Sequence, residues 1–113
     1  MKTKFSGVVQ KGSQRAGTLG FPTINIPLAD ASISGIYAGT VHDGDREYTA
    51  ALFADPERGV LEAYLLDFDE DLYGKEVSMT LAKKLREAES FSDDSHLSEM
   101  IAKDVEEVRR FFN

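Results

Sequence analysis

The sequence predicts a mainly β fold, an antiparallel β-barrel closed by one C-terminal α-helix. Short segments with apolar residues at alternate positions recur between turn signals as far as Leu85, and this spacing is typical of a barrel or a sandwich. From Asp94 onward the apolar residues recur every three or four positions, which is the period of an amphipathic helix. The change of period divides the chain into a β part and a helical end.

Turn signals separate most of the predicted strands. Asp43-Gly44-Asp45 predicts a hairpin, because Asp-Gly readily adopts the positive φ angles of tight turns. Two further turns are expected at Asp55–Gly59 and Asp69–Lys75. The predicted strands are Lys2–Gln10, Ile36–His42, Arg46–Ala54, Val60–Phe68 and Glu76–Leu85, with a loop at Leu28–Gly35 before the second of them.

The helix is predicted at Asp94–Phe112, and Ser92 or Asp93 could accept hydrogen bonds from its first turn as the N-cap. The acidic residues of Glu87–Glu107 are expected on a solvated helix face. The residues expected to pack on the barrel are Leu97, Ile101, Val105, Val108 and Phe112.

The composition is that of a single domain over residues 1–113, with 42% hydrophobic and 29% charged residues. The formal net charge of −7 argues against nucleic acid and an anionic membrane as partners. The chain has no cysteine, so a disulfide framework and a thiolate metal site are both excluded. No apolar run reaches transmembrane length and the first residues form no signal peptide, so we expect a cytoplasmic protein.

The segment Lys11–Pro27, KGSQRAGTLGFPTINIP, has the composition of a phosphate-binding loop. Dense glycines bring bare backbone N–H groups close to an anion. The segment is not a Walker A loop, because Thr18-Leu19 stands where that motif requires Lys and Ser/Thr. A long surface hairpin with glycines at its turns is the alternative. The candidate phosphate-binding residues are Gly12, Arg15, Gly17 and Gly20.

Two oxygen donors follow the glycines. Thr23 and Asn25 lie two residues apart in an extended segment, so their side chains can face the same side. A hydroxyl and an amide oxygen suit a hard cation such as Mg²⁺. The alternative is a hydrogen-bonding pair beside a turn.

The pattern Gly-x-x-x-x-Gly-x-x-Gly-Phe-Pro-Thr-x-Asn at Gly12–Asn25 resembles the nucleotide-binding segment of the riboflavin kinase family, which phosphorylates riboflavin to FMN. The resemblance extends along nearly the whole chain, and the order and spacing of its blocks together make it specific. The further blocks are Gly35-Ile36-Tyr37-Ala38, Leu61–Phe68 (LEAYLLDF), Asp71-Leu72-Tyr73-Gly74, Leu85-Arg86 and Phe91-Ser92.

The resemblance implies a small Greek-key barrel, ATP and riboflavin as substrates, and Mg²⁺ as the metal, with Zn²⁺ as an alternative. It implies that Glu62 is the catalytic base and that Arg86 is a second catalytic residue, which lies near the flavin and stabilises charge on the transferred phosphate. Thr23 and Asn25 would hold the metal–nucleotide complex. The nucleotide-binding residues would be Gly12, Arg15, Gly17, Gly20, Pro22, Thr23 and Asn25. Only small-molecule partners are implied, and we expect a monomer.

The residues alone leave other interpretations open. Glu62 could be an exposed carboxylate on the solvent face of a strand, and Arg86 could simply pair with Glu87, Glu89 or Asp93. The connection Phe53–Gly59 is shorter than in the family, and Ala88 replaces an acidic residue. These departures suit either a divergent kinase or a catalytically inactive flavin- or nucleotide-binding module. FAD synthesis is not expected, since no adenylyltransferase sequence precedes the segment.

Overall fold

The computed structural model describes residues 3–11, 20–68, 70–90 and 93–113. Its strands are β1 (Thr3–Val8), β2 (Gln10–Lys11), β3 (Ile24–Pro27), β4 (Gly35–Asp43), β5 (Arg46–Asp55), β6 (Val60–Leu65) and β7 (Glu76–Arg86), and its helix is α1 (Asp94–Phe112). The fold is therefore mainly β with one C-terminal helix, as the sequence predicts.

The seven strands form one antiparallel sheet in the order β1-β7-β4-β5-β6-β3-β2. Strands β4 to β6 follow one another as hairpins and β7 returns beside β4, which is the Greek-key arrangement. The edge strands β1 and β2 are separated only by Val9. Consecutive residues cannot lie on opposite sides of a flat sheet, so the sheet must curl until its two edges meet.

The hairpin predicted at Asp43-Gly44-Asp45 is confirmed, with Gly44 at φ 60° between β4 and β5. Strand β6 ends at Leu65, three residues earlier than predicted, and Asp67 adopts φ 56° in the turn that follows. The extended segment around Thr23 contains β3, whose pairing with β6 could not be inferred from local sequence.

The sheet has two apolar faces, and alternation along each strand assigns the residues to them. The inner face forms the larger core, in which Ile26, Val41, Leu52, Leu61 and Met79 are fully buried. On the outer face a smaller cluster of Ala38, Leu66 and Val108 packs helix α1 against the barrel. The helix covers β4 and β5 in particular, so it converts part of the outer face into a second interior.

Helix α1 begins as the sequence predicts. Asp93 is its N-cap and accepts a hydrogen bond from the backbone N–H of Ser95 at 2.9 Å. Val108 is fully buried, but Phe112, expected in the same apolar stripe, is 37% exposed. Within the described ranges, α1 does not have the length and apolar character needed to span a membrane.

Candidate active site

The pairing of β3 with β6 builds the polar centre of the site. Asn25 lies directly opposite Glu62 in this register, and Thr23 precedes Asn25 by two residues, so the three side chains share the outer face of the sheet. The Thr23 hydroxyl donates to Oε2 of Glu62 at 2.9 Å. Residues 39 positions apart in sequence are thus brought into hydrogen-bonding contact.

Glu62 is buried, with 3% of its surface exposed, so the alternative of a solvent-facing strand carboxylate is wrong. An isolated carboxylate at this depth would be costly. Arg58 compensates it by donating from Nη2 to Oε1. Gly59, at φ 66°, completes the turn that lets Arg58 reach a residue four positions further along the chain.

Arg58 is itself fixed from the opposite side. Its Nε donates to Oδ2 of Asp55 at 2.6 Å, and its guanidinium carbon lies 5.9 Å from the centre of the Phe53 ring. Burial alone would raise the pKa of Asp55, but side-chain and backbone hydrogen bonds from Arg58 outweigh it and lower that pKa below the ordinary 3.8. The hydrogen bond to Asp55 is the largest cause that raises the pKa of Arg58, so both groups remain charged.

Asn25 has a chemical feature that suits a bound cation. Its side-chain Oδ1 is buried and has no hydrogen-bond partner among the described residues, although an unsatisfied buried acceptor costs about 1–3 kcal/mol. The hydroxyl of Thr23 and the carboxylate of Glu62 lie on the same face, so the donor set is all oxygen, as Mg²⁺ prefers. In the described part of the chain there is no cluster of three or more His, Cys, Asp or Glu side chains that could hold a metal. A cation here would therefore need further oxygens from a nucleotide or water.

A cavity of about 240 Å³ lies between the outer face of the sheet and helix α1. Glu62 and Arg58 supply charge to its lining, and Arg86 and Asp104 also contribute. Most of the wall is apolar and includes Phe21, Ile36, Phe53, Tyr64, Leu97 and Ile101. Such a wall suits a flat, largely apolar ring system beside a few polar groups.

A second cavity of about 310 Å³ adjoins the first. Thr23 and Tyr64 line both cavities. The second also contains Pro22, Phe68, Leu72 and Tyr73, together with Glu70 and Asp71. Two ligands bound in the two cavities would approach each other at Thr23, beside Glu62.

Arg86 lines the first cavity, but its side chain is bound to helix α1. Nε and Nη2 donate to the two carboxylate oxygens of Asp104 at 2.9 and 2.8 Å, and Nη1 donates to the backbone carbonyl of Glu87 at 3.1 Å. The hydrogen bond to Asp104 is the main cause that raises the pKa of Arg86. Asp104 was not among the ion-pair partners considered from sequence, and its burial at 6% exposure corrects the expectation that the helix carboxylates are solvated.

Among the described nucleotide-binding residues predicted from sequence, Thr23 and Asn25 lie together beside Glu62. Gly12, Arg15 and Gly17 lie outside the described residues. Gly20 is exposed at φ 91°, and Pro22 is exposed at the second cavity.

Sequence reasoning missed Arg58, Asp55 and Asp104. The connection at 53–59, although shorter than in the family, supplies Arg58 to the site. The spacing of Asp104 could have indicated its burial, because it lies three residues after Ile101 and four before Val108 and therefore on the packed face of the helix.

Comparison with known proteins gives consistent matches. The family model for riboflavin kinase (Flavokinase) matches residues 1–112. The bifunctional riboflavin kinase/FMN adenylyltransferase of Escherichia coli (strain K12) is 34% identical over 121 residues, which cover 95% of this chain and 37% of that relative. The chain thus spans little more than a third of that relative's length.

Two crystal structures share the fold. Riboflavin kinase from Trypanosoma brucei superposes with a TM-score of 0.68 at 27% identity, covering 97% of this chain and 79% of that chain. A structure described as a macrolide-efflux protein from Streptococcus pneumoniae superposes with a TM-score of 0.80 at 26% identity, covering 94% of this chain and 38% of that chain.

Proposed function

This chain belongs to the riboflavin kinase family, and from that membership we propose that it transfers the γ-phosphoryl group of ATP to the 5′-hydroxyl of riboflavin, giving FMN and ADP. The observation that carries the proposal is the buried Glu62, hydrogen-bonded to Thr23 where two cavities adjoin. A carboxylate at such a junction can accept the proton of a hydroxyl presented from one cavity to a phosphate presented from the other.

The two cavities suit the two substrates. We assign the flavin ring to the cavity under helix α1, because its wall is mostly apolar and aromatic. We assign the nucleotide to the second cavity, where Pro22, Phe68 and Tyr73 offer surfaces for a base. Gly12, Arg15, Gly17 and Gly20 stay the predicted phosphate-binding residues.

The chemical step uses few protein groups, because phosphoryl transfer depends chiefly on positioning and charge stabilisation. Glu62 takes the proton of the riboflavin 5′-hydroxyl, and the oxygen of that hydroxyl forms a bond to the γ-phosphorus. The bond from that phosphorus to the β,γ-bridging oxygen breaks, and its electron pair leaves with ADP. Arg86 would support the step indirectly, by holding helix α1 over the flavin cavity through Asp104.

Thr23 and Asn25 would hold Mg²⁺, with Zn²⁺ as the alternative metal. A hydroxyl has one donor and two lone pairs, so Thr23 can donate to Glu62 and still offer a lone pair to a cation. The unsatisfied Oδ1 of Asn25 would gain the partner that it lacks among the described residues. When bound, Mg²⁺ supplies positive charge that neutralises and orients the phosphates.

The test measures FMN by HPLC after incubation with riboflavin, ATP and Mg²⁺, with a parallel incubation in Zn²⁺. Glu62→Gln keeps the size of the side chain and removes the base, so we expect kcat to fall by about 10²–10⁴. Riboflavin binding, measured as the quenching of riboflavin fluorescence by the protein, should keep nearly the same affinity. Glu76→Gln alters an exposed glutamate of β7 as the matched control and should leave kcat unchanged. A kcat for Glu62→Gln within a factor of three of the wild type refutes Glu62 as the base. Absence of FMN from the wild type refutes the kinase, and saturable quenching in that case favours a flavin-binding module without catalysis.

A further inference from the structure

Among the described residues, Arg58 is a cation that bonds directly to the proposed base, Glu62. Its guanidinium links Asp55 to Glu62, and its side chain is 49% exposed whereas those of its partners are largely buried. Arg58 also lines the cavity under helix α1. It is therefore a charged group that solvent and a ligand can reach, anchored at a buried carboxylate.

The second arginine among the described residues of this cavity, Arg86, already has hydrogen-bond partners. The Nε, Nη1 and Nη2 atoms of Arg86 all donate to Asp104 or to the Glu87 carbonyl. Releasing Arg86 to a phosphate would leave the carboxylate of Asp104 buried without its cation, which is costly. Releasing Arg58 from Glu62 avoids that cost once Glu62 has taken the hydroxyl proton, because the buried carboxyl is then neutral, and Asp55 continues to hold Arg58 through Nε.

Proton transfer to Glu62 changes what Arg58 is attracted to. In the described structure Oε2 of Glu62 accepts from Thr23 and Oε1 accepts from Arg58, so an entering hydroxyl must compete for one of these oxygens. When Glu62 takes the proton its carboxyl becomes neutral, while negative charge remains on the transferred phosphoryl oxygens. The guanidinium of Arg58 is then attracted more strongly to the charged phosphoryl oxygens than to the neutral carboxyl.

We propose that Arg58 is a further catalytic residue, which stays anchored on Asp55, yields Oε1 of Glu62 to the 5′-hydroxyl and contacts the transferred phosphoryl group. This inference rests on the proposed function. It leaves the reaction balance unchanged: the hydroxyl proton goes to Glu62, the oxygen–phosphorus bond forms, and ADP takes the electron pair of the broken bond. Arg58 contributes charge stabilisation and no proton.

The experiment compares Arg58→Gln, Arg58→Lys and Arg58→Ala with the wild type by steady-state FMN formation. We expect Arg58→Gln to lower kcat about 100-fold, with the riboflavin dissociation constant from fluorescence quenching changed less than threefold. Arg58→Lys keeps the charge but loses the planar fork, so its kcat should fall about tenfold. Because the side chain is half exposed, guanidinium ion at millimolar concentration should restore part of the kcat of Arg58→Ala, which a merely structural role would not permit.

Arg110→Gln is the matched control, because Arg110 is also an exposed arginine paired with carboxylates, those of Glu106 and Glu107, and none of the three residues lines either cavity. Its kcat should equal that of the wild type. If the wild type makes FMN and Glu62→Gln does not, a kcat for Arg58→Gln within threefold of wild type overturns this inference and leaves the proposed function standing. If Arg58→Gln does not fold, a kcat of Arg58→Lys equal to that of the wild type overturns the inference that Arg58 is a catalytic residue. If the wild type makes no FMN, the proposed function fails first and Arg58 loses its role with it.

Discussion

Removing the carboxylate of Asp104 should destabilise the protein strongly, because it breaks the ion pair that ties helix α1 to the end of β7. Asp104→Ala leaves the Arg86 guanidinium, whose side chain is mostly buried, without its two charge-assisted hydrogen bonds. Breaking a buried pair from one side costs about 3–5 kcal/mol. Since Arg86 retains some contact with solvent, we expect about 3 kcal/mol. For a chain of 113 residues this lowers Tm by about 12 °C.

Thermal unfolding followed by circular dichroism measures the effect, and a second variant separates charge from packing. The double substitution Arg86→Met/Asp104→Leu replaces both charges by apolar groups of similar size, which is often neutral, so its Tm should lie within about 4 °C of the wild type. Because Leu97 and Ile101 of the same helix line the cavity, Asp104→Ala should also weaken riboflavin binding. A fall in Tm of less than 3 °C in Asp104→Ala would refute the claim that this pair anchors the helix.

Two further predictions concern single polar groups. Asn25→Leu removes the unsatisfied buried Oδ1 and should raise the free energy of unfolding in urea by about 1 kcal/mol. The Mg²⁺ concentration for half-maximal FMN formation should rise at least tenfold. A lower stability with unchanged Mg²⁺ dependence would contradict the assignment of Asn25 as a metal ligand. Asp55 has a lowered pKa in the folded protein, so its stabilising effect is complete above the unfolded value of about 4 and is lost as pH falls through the lower folded value. Asp55→Asn should therefore lose less stability between pH 6 and pH 3 than the wild type does. Urea unfolding at the two pH values measures both losses, and an equal loss would contradict the pairing of Asp55 with Arg58.

The order and type of the main elements could be predicted because they depend on local patterns. The 3.6-residue period after Asp94 and the Asp-Gly turn at Asp43-Gly44 each act within a few residues, and both are found in the structure. Motif resemblance also identified Thr23, Asn25 and Glu62, which the structure places together on one face of the sheet. The roles of these residues stay predictions until the variants are measured.

The sequence by itself determined the elements, their order and a short set of polar candidates, because periodicity, turn chemistry and motif spacing are properties of neighbouring residues. Only the tertiary structure decided which side chains meet. Strand register brings Asn25 opposite Glu62, the curl of the sheet joins its edges at Val9, and helix packing places Asp104 on Arg86. A tight turn places Arg58 on Glu62, although either residue could equally have faced solvent. Burial turns these contacts into chemistry, because a carboxylate removed from water requires a partner and local sequence does not specify how deeply a residue will be covered.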